Sequence, residues 1–176
     1  MEVFKMNKIL IMLTLFTHVV FANSNFVAGY GVSSFDVPII NYGNVFTHNI
    51  YVGVEQSYLV NAKEQVVVSM LMSTNRRFNT TFLSELELQT GFKKKLTEKD
   101  AVAFGFHVSH LLNEHISEVD LIGSGFGLNM AYTHQYSDQF SLNIQCHTTS
   151  YGVASTSSGF DRFTNQTIRT FIQFLP

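Results

Sequence analysis

The chain contains one cysteine, no tryptophan and two prolines, and only 14% of its 176 residues are charged. Because Cys146 has no partner, an intramolecular disulfide and a small disulfide-stapled scaffold are excluded, and we expect the thiol to pack as a small apolar side chain. The formal charge is -2 and the only basic run is Lys93–Lys95, which argues against a nucleic-acid partner. The one internal proline, Pro38, falls in a predicted connection, which suits a chain made almost entirely of strands.

Long apolar runs are also missing beyond the first 22 residues. There, Lys5 and Lys8 precede a mostly apolar segment, Ile9–Phe21, and Ala22 provides a cleavage site. This is the pattern of a secretory signal peptide, so we expect residues 1–22 to be removed and a mature domain from 23 to 176. The alternative is an uncleaved anchor, but the segment is shorter than the roughly 20 residues that a spanning helix needs. Without a later apolar segment, the mature chain can enter a membrane only as a closed β-barrel.

The chain does contain a regular alternation of apolar and polar residues. Phe126, Leu128 and Met130, for example, alternate with Gly127 and Asn129. A period of two is typical of a strand with two different faces, and two such runs across a short polar turn predict an antiparallel hairpin. The pattern predicts eight strands, Phe26–Phe35, Val45–Tyr58, Val66–Thr74, Thr80–Phe92, Ala101–Leu111, Gly125–Tyr136, Phe140–Tyr151 and Thr167–Phe174.

The predicted connections differ between the two rims of such a barrel. On one rim we expect the loops Asp36–Asn44, Asn75–Asn79, Leu112–Ser124 and Ala154–Gln166. On the other we expect the turns Asn61–Gln65, Lys93–Asp100 and Ser137–Gln139. Long loops on one rim and short turns on the other are typical of outer-membrane barrels.

The polar phase of the strands indicates which face points inward. It is rich in amides and small residues, whereas the outer face of a soluble protein usually carries more Lys and Glu. Such side chains suit the narrow lumen of an eight-stranded barrel, where Glu85, Glu87 and Arg169 are expected to form an ion-paired network. The apolar phase then faces lipid, with interfacial aromatic residues near the strand ends: Phe92, Tyr132, Tyr136, Phe140 and Phe174.

The signal peptide, the paired alternating strands and the aromatic-bearing last strand, Thr167–Phe174, make the chain similar to the small eight-stranded outer-membrane barrels of the OmpA and OmpX type. The resemblance is one of architecture and covers roughly Asn23 to the end. It implies an all-β, antiparallel, up-and-down transmembrane barrel, monomeric, in the outer membrane of a Gram-negative bacterium. It also implies contact with outer-membrane lipid, with lipopolysaccharide and with the barrel-assembly machinery, which reads the aromatic residue of the last strand in such families.

One constellation has catalytic residue types. His107 and Ser109 are separated by one residue, and with an acid such as Glu114 or Glu118 nearby the imidazole could activate the hydroxyl. The pair is similar to the His-x-Ser of outer-membrane lipid A deacylases, in which it lies near the chain end and faces lipid. Here the last third of the chain follows, and the alternation places both side chains in the lumen. A hydrogen-bonded luminal pair is therefore the simpler interpretation.

Two further charged groups are candidate contacts. The predicted loop Leu112–Ser124 carries the acidic and imidazole side chains Glu114, His115, Glu118 and Asp120. They could bind a hard cation, but a solvated acidic loop is the simpler explanation, and we predict no metal and no cofactor. Arg76 and Arg77, at a predicted loop tip, could contact lipopolysaccharide phosphates or form an ordinary polar tip.

Three functions are compatible with the sequence. The first is a structural or surface-interaction role, in adhesion or in the envelope, carried by the extracellular loops. The second is an enzyme that modifies acyl chains of lipid A or phospholipid. The third is a soluble lipocalin-like carrier of apolar ligands, although the Gly-x-Trp signature of that family requires a tryptophan that the chain lacks. A non-selective pore is disfavoured because side chains fill the lumen of an eight-stranded barrel.

Overall fold

A computed structural model describes residues 24–36, 44–77, 80–116, 119–155 and 159–175, and the predicted signal peptide, 1–22, lies outside these ranges. The described residues form eight strands: β1 Asn25–Asp36, β2 Asn44–Asn61, β3 Glu64–Arg77, β4 Thr80–Lys95, β5 Asp100–Ile116, β6 Val119–Gln135, β7 Phe140–Ser155 and β8 Gly159–Phe174. None of the described segments is a helix long and apolar enough to cross a membrane.

The strands close into a barrel. Each pairs antiparallel with its neighbours in sequence, and β8 pairs with β1. This confirms the predicted all-β, up-and-down architecture. We call the rim that carries both ends of the barrel the turn rim and the opposite rim, where β1 ends, the loop rim.

The strands are staggered around the barrel. A path along paired residues begins at Phe26 and returns to β1 at Asp36, ten residues further along the same strand. The path runs Phe26, Val54, Met70, Leu88, Val108, Phe126, Ser150, Thr164, Asp36. Such a stagger accompanies the strand tilt of every closed barrel. Each step from β1 through β2 toward β8 therefore climbs toward the loop rim, and each step in the opposite direction descends.

The strands extend further toward the loop rim than the sequence predicts. β5 reaches Ile116 and β6 begins at Val119, so the predicted loop Leu112–Ser124 is mostly a paired hairpin. The predicted loop Ala154–Gln166 is likewise mostly strand, because β7 ends at Ser155 and β8 begins at Gly159. The prediction of long loops was wrong here because apolar alternation ends where a strand leaves apolar surroundings, whereas backbone pairing continues. Residues 37–43 of the loop Asp36–Asn44 lie outside the described residues.

Alternation places apolar side chains on the outer wall and polar side chains in the lumen. Large apolar side chains of all eight strands are exposed, and Leu128, for example, retains 61% of its accessible surface. Glu85, Glu87 and Arg169, in contrast, are each 1% exposed inside the barrel. A soluble carrier of apolar ligands requires the reverse arrangement, so the described part of the chain contradicts that alternative.

The apolar wall has a boundary near each rim. The aromatic side chains predicted for the interface are exposed near the turn rim, and two of them, Phe140 and Phe174, pack edge to face with ring centroids 4.9 Å apart. Toward the loop rim every strand carries a polar outward-facing side chain, although the exposed apolar side chains Phe46 on β2 and Leu112 on β5 lie beyond it. We call this boundary the polar collar, and it consists of Ser34, His48, Arg76, Ser84, His110, Ser124, Ser150 and Gln166. The wall between the two boundaries is a continuous apolar belt.

Candidate functional site

The centre of the lumen is occupied by a buried ion pair. Arg169 on β8 donates from Nη1 to Glu87 Oε1 at 2.9 Å and from Nη2 to Glu87 Oε2 at 3.1 Å. This bidentate geometry is the strong form of an arginine–carboxylate contact. The ring of Tyr51 lies against the guanidinium, with 4.9 Å between the guanidinium carbon and the ring centroid. The charge on Arg169 is therefore compensated on two sides inside the barrel.

Two amides close this ion pair into a ring. Arg169 Nε donates to Gln145 Oε1 at 2.6 Å, Gln145 Nε2 donates to Gln89 Oε1 at 3.1 Å, and Gln89 Nε2 donates to Glu87 Oε2 at 2.8 Å. The four side chains come from β4, β7 and β8, so the contacts cross the lumen rather than follow one strand. We call these four residues the central ring. Because each member is fixed by two partners, the ring obstructs the lumen at its middle.

Glu85 lies on the same face of β4 as Glu87 but has different partners. It accepts from Ser109 Oγ at 3.3 Å and from Asn75 Nδ2 at 3.2 Å, and the Tyr151 hydroxyl donates to Ser109 at 3.2 Å. The structure thus brings the predicted Glu85, Glu87 and Arg169 into one lumen but divides them, because the arginine pairs with Glu87 while Glu85 is held by neutral donors.

The structure does not join His107 and Ser109 as a base and nucleophile. His107 Nε2 lies 2.7 Å from Thr149 Oγ1, whereas Ser109 contacts Glu85 and Tyr151. Glu114, the third candidate, lies on β5 beyond an irregularity that follows Leu111, where its backbone pairs with Leu121. Activation of a serine by histidine requires a hydrogen bond between the two, so this arrangement does not provide that pair.

A second buried histidine, His147 on β7, packs beside His107. The rings of His107 and His147 have centroids 4.9 Å apart, and both nitrogens of His147 and Nδ1 of His107 are buried without a protein partner. Gly127 makes room for His107, because a Cβ there would lie 2.5 Å from His107 Cε1 and 2.0 Å from the Thr148 carbonyl oxygen. The described residues include no group of three or more side chains placed to hold a metal, and Glu118 of the predicted acidic loop lies outside them.

The two ends of the lumen differ. Toward the loop rim, Phe35, Leu83 and Leu111 are completely buried. Toward the turn rim, a cavity of about 190 Å³ is lined by Lys93, Lys95 and Lys99. It shares Lys93 with a smaller chamber of about 40 Å³ that reaches the central ring at Gln89 and Gln145. Solvent therefore approaches the ring from the turn rim.

The predicted lipopolysaccharide contacts lie at the end of β3 rather than in a loop. Arg76 is exposed on the outer wall as part of the polar collar, and its partner across β2 and β3 is His48. The Nδ1 of His48 forms a hydrogen bond with the Tyr30 hydroxyl. Arg77 is the last residue of β3, and its side chain lies outside the described part of the structure.

No family model and no curated protein matches the chain. Among solved structures it is similar to Neisserial surface protein A (NspA), with a TM-score of 0.62 and 9% identity over 87% of this chain and 97% of that one. It is also similar to Ail, the attachment invasion locus protein of Yersinia pestis, with a TM-score of 0.57 and 12% identity over 86% and 97%. At these identities the similarity concerns the fold. The chain has the fold of the small eight-stranded outer-membrane barrels, as its sequence predicts.

Proposed function

We propose that the protein is a monomeric barrel of the outer membrane, inserted by the barrel-assembly machinery, that acts at the cell surface through the hairpins of its loop rim. The observation that carries the proposal is an apolar outer wall around an ion-paired lumen. Exposed apolar patches on soluble monomers rarely exceed a few hundred Å². A belt that encircles the whole barrel is stable in a bilayer, where the closed sheet also satisfies every backbone group.

The interior leaves little room for transport. The central ring crosses the lumen, and Phe35, Leu83 and Leu111 fill the end nearer the loop rim. Activity on the outside is therefore more consistent with the fold than passage through it. The backbones of the β5–β6 and β7–β8 hairpins extend beyond the polar collar. The names of the two similar structures, a surface protein and an attachment invasion protein, agree with a role in adhesion.

Cell fractionation tests the location. We expect the mature chain in the outer-membrane fraction and expect its mobility on a gel to change on boiling, because a folded barrel resists detergent. Recovery of a folded chain from the soluble periplasm would contradict the proposal.

A hairpin replacement tests the surface role. Residues 113–120 at the tip of the β5–β6 hairpin are replaced by Asn-Gly, a pair that favours a tight hairpin turn. The matched control makes the same replacement of residues 96–99 at the turn rim. Both variants are expressed in a bacterium that does not itself adhere. The first variant should lose attachment to animal cells or extracellular matrix, whereas the second should keep it. Equal attachment by both would contradict a role for this hairpin.

A further inference from the structure

The outer wall contains a depression of about 590 Å³ that runs across six strands, from β2 through β1, β8, β7 and β6 to β5. We call it the wall trough. Its floor includes the small outward-facing side chains Cys146 and Thr148 of β7. Larger side chains stand at its two ends, Phe46 at one and Phe104 at the other. The trough is therefore a hollow made by short side chains between longer ones.

The trough lies in the apolar belt for most of its length. Val32, Leu128 and Ile168, which line it, are among the exposed apolar side chains of the wall. A hollow in such a surface loses dispersion contacts unless apolar groups fill it. In a bilayer the available filling is hydrocarbon, so the trough fits an acyl chain.

The trough is inclined relative to the membrane. One edge follows the paired residues Val32, Ile168, Cys146, Met130 and Phe104 from β1 to β5. Steps in this direction descend from the loop rim. The β1–β2 end is therefore the upper end, and Ser34, which lines it, belongs to the polar collar. The β5 end lies deeper in the belt.

An arginine and a histidine lie beside the upper end. His48 is the partner of Val32 across β1 and β2, and Arg76 is the partner of His48 across β2 and β3. Both side chains are exposed on the outer wall. Tyr30 stacks on His48, with ring centroids 5.8 Å apart, and its hydroxyl bonds Nδ1, which orients the imidazole. An arginine and a histidine at the headgroup boundary complement a phosphate.

We propose that this surface binds lipopolysaccharide, with one acyl chain in the wall trough and a lipid phosphate on Arg76 and His48. The assignment rests on the proposed outer-membrane location, where lipopolysaccharide occupies the leaflet on the side of the loop rim. Hydrocarbon in the trough gives contact area. Arg76 and the imidazole of His48 at its upper end favour a lipid whose phosphates carry net negative charge over a zwitterionic phospholipid.

Native mass spectrometry of the full mature chain in detergent tests the acyl-chain half. The probes are diphosphorylated lipid A and phosphatidylcholine. Thr148→Phe fills the trough, and the matched control Thr90→Phe places the same ring on the outward face of β4, away from it. Retained lipid A should fall several-fold for Thr148→Phe and stay at the wild-type level for Thr90→Phe. Equal retention by the two variants overturns the assignment.

Variants of Arg76 and His48 test the phosphate contact. Arg76→Ala and His48→Ala should remove the preference for lipid A over phosphatidylcholine, whereas Arg76→Lys keeps part of it because the charge remains. Lys94→Ala removes an exposed cation near the turn rim and should change nothing. An unchanged preference in Arg76→Ala and His48→Ala overturns the phosphate contact.

A second measurement, chemical labelling of Cys146, tests occupancy of the trough without a substitution in its lining. Cys146 is the only cysteine and is exposed on the trough floor, so its reaction with a lipid-soluble maleimide reports occupancy. Lipid A should slow this reaction several-fold but leave unchanged the reaction of Leu88→Cys, on β4 and outside the lining of the trough, in a Cys146→Ser background. Equal protection at both positions, or protection that accompanies a dimer in the mass spectrum, overturns the proposal. Fractionation of the wild type tests the outer-membrane location separately, because a chain that is not in the outer membrane is then recovered in another fraction.

Discussion

The two ends of the lumen are built from the same alternation and yet differ in chemistry. Toward the loop rim, the apolar side chains Phe35, Leu83 and Leu111, which we call the apolar layer, are completely buried at the same end as the buried polar side chains Ser33 and Asn75. Toward the turn rim, amides and lysines surround cavities that open to solvent. The difference shows that the inward face of a barrel strand need not be polar along its whole length.

The central ring lies between these two ends and depends on both. The apolar layer lies between the pair of Arg169 and Glu87 and the loop rim, and a drier environment strengthens the attraction within the pair. The chamber on the other side is lined by amide side chains that include Asn129 and Asn143. A buried ion pair repays the desolvation of its two ions only when its geometry is good and its remaining hydrogen-bonding groups are satisfied.

The largest effect on stability is expected at the central ring, which lies between the two ends of the lumen. Arg169→Met leaves Glu87 buried without its cation and should lower the free energy of unfolding by roughly 3–5 kcal/mol. Urea unfolding in detergent, followed by the gel-mobility difference between folded and unfolded chain, measures it. The double variant Glu87→Met, Arg169→Met should recover much of the loss because no charge is left unpaired. A double variant no more stable than Arg169→Met would show that packing, rather than charge compensation, dominates.

The next prediction separates the two ends. Phe35→Ala and Phe171→Ala remove the same ring, and each should cost about 3–5 kcal/mol. Phe35 lies in the apolar layer, whereas Phe171 lines the chamber of the turn side. In a Ser33→Cys, Cys146→Ser background, only Phe35→Ala should admit an impermeant thiol reagent from the loop side. Equal labelling in both variants would mean that the apolar layer is not the barrier.

A smaller effect is expected from the packing of the histidine pair. Gly127→Ala places a Cβ 2.5 Å from His107 Cε1 and 2.0 Å from the Thr148 carbonyl oxygen, so the ring or the strand must shift. The cost should be roughly 1–3 kcal/mol in the same urea experiment. Gly152→Ala is the matched control, because a Cβ there meets nothing within 4 Å and the change should be neutral or slightly stabilising. Similar losses in both would refute the steric argument.

These sites also show how far sequence reasoning extends. A period of two is sufficient to place Glu85, Glu87 and Arg169 in the lumen, because the face of a strand is a local property. It cannot decide which glutamate pairs with Arg169, since the two share a face and the contact crosses the lumen between β4 and β8. The same period also predicts hairpins that are too short, because β5 continues to Ile116, beyond the apolar belt where the alternation ends.

The smallest effect is expected at the turn rim, which is held by local hydrogen bonds instead of an apolar layer. Thr97 Oγ1 donates to Asp100 Oδ2 at 2.6 Å, the Tyr132 hydroxyl donates to Oδ1 at 2.5 Å, and His134 Nδ1 lies 2.8 Å from Oδ1. These contacts hold the pKa of the Asp100 carboxyl well below its usual range. The stabilisation is therefore complete above the usual aspartate pKa and is lost as the pH falls through the lowered value.

Asp100→Asn removes this dependence. Between neutral pH and the usual aspartate pKa the variant should be slightly less stable than wild type, and the difference should vanish in strong acid, where Asp100 is also neutral. Urea midpoints measured across acidic pH provide the test, and Glu98→Gln, a neighbouring carboxylate in the same turn, is the control. The effect must be small because Asp100 is partly exposed and solvent screens its contacts. A difference that grows toward low pH would mean that the carboxyl is stabilised in its protonated form and that this rim, like the other, excludes water.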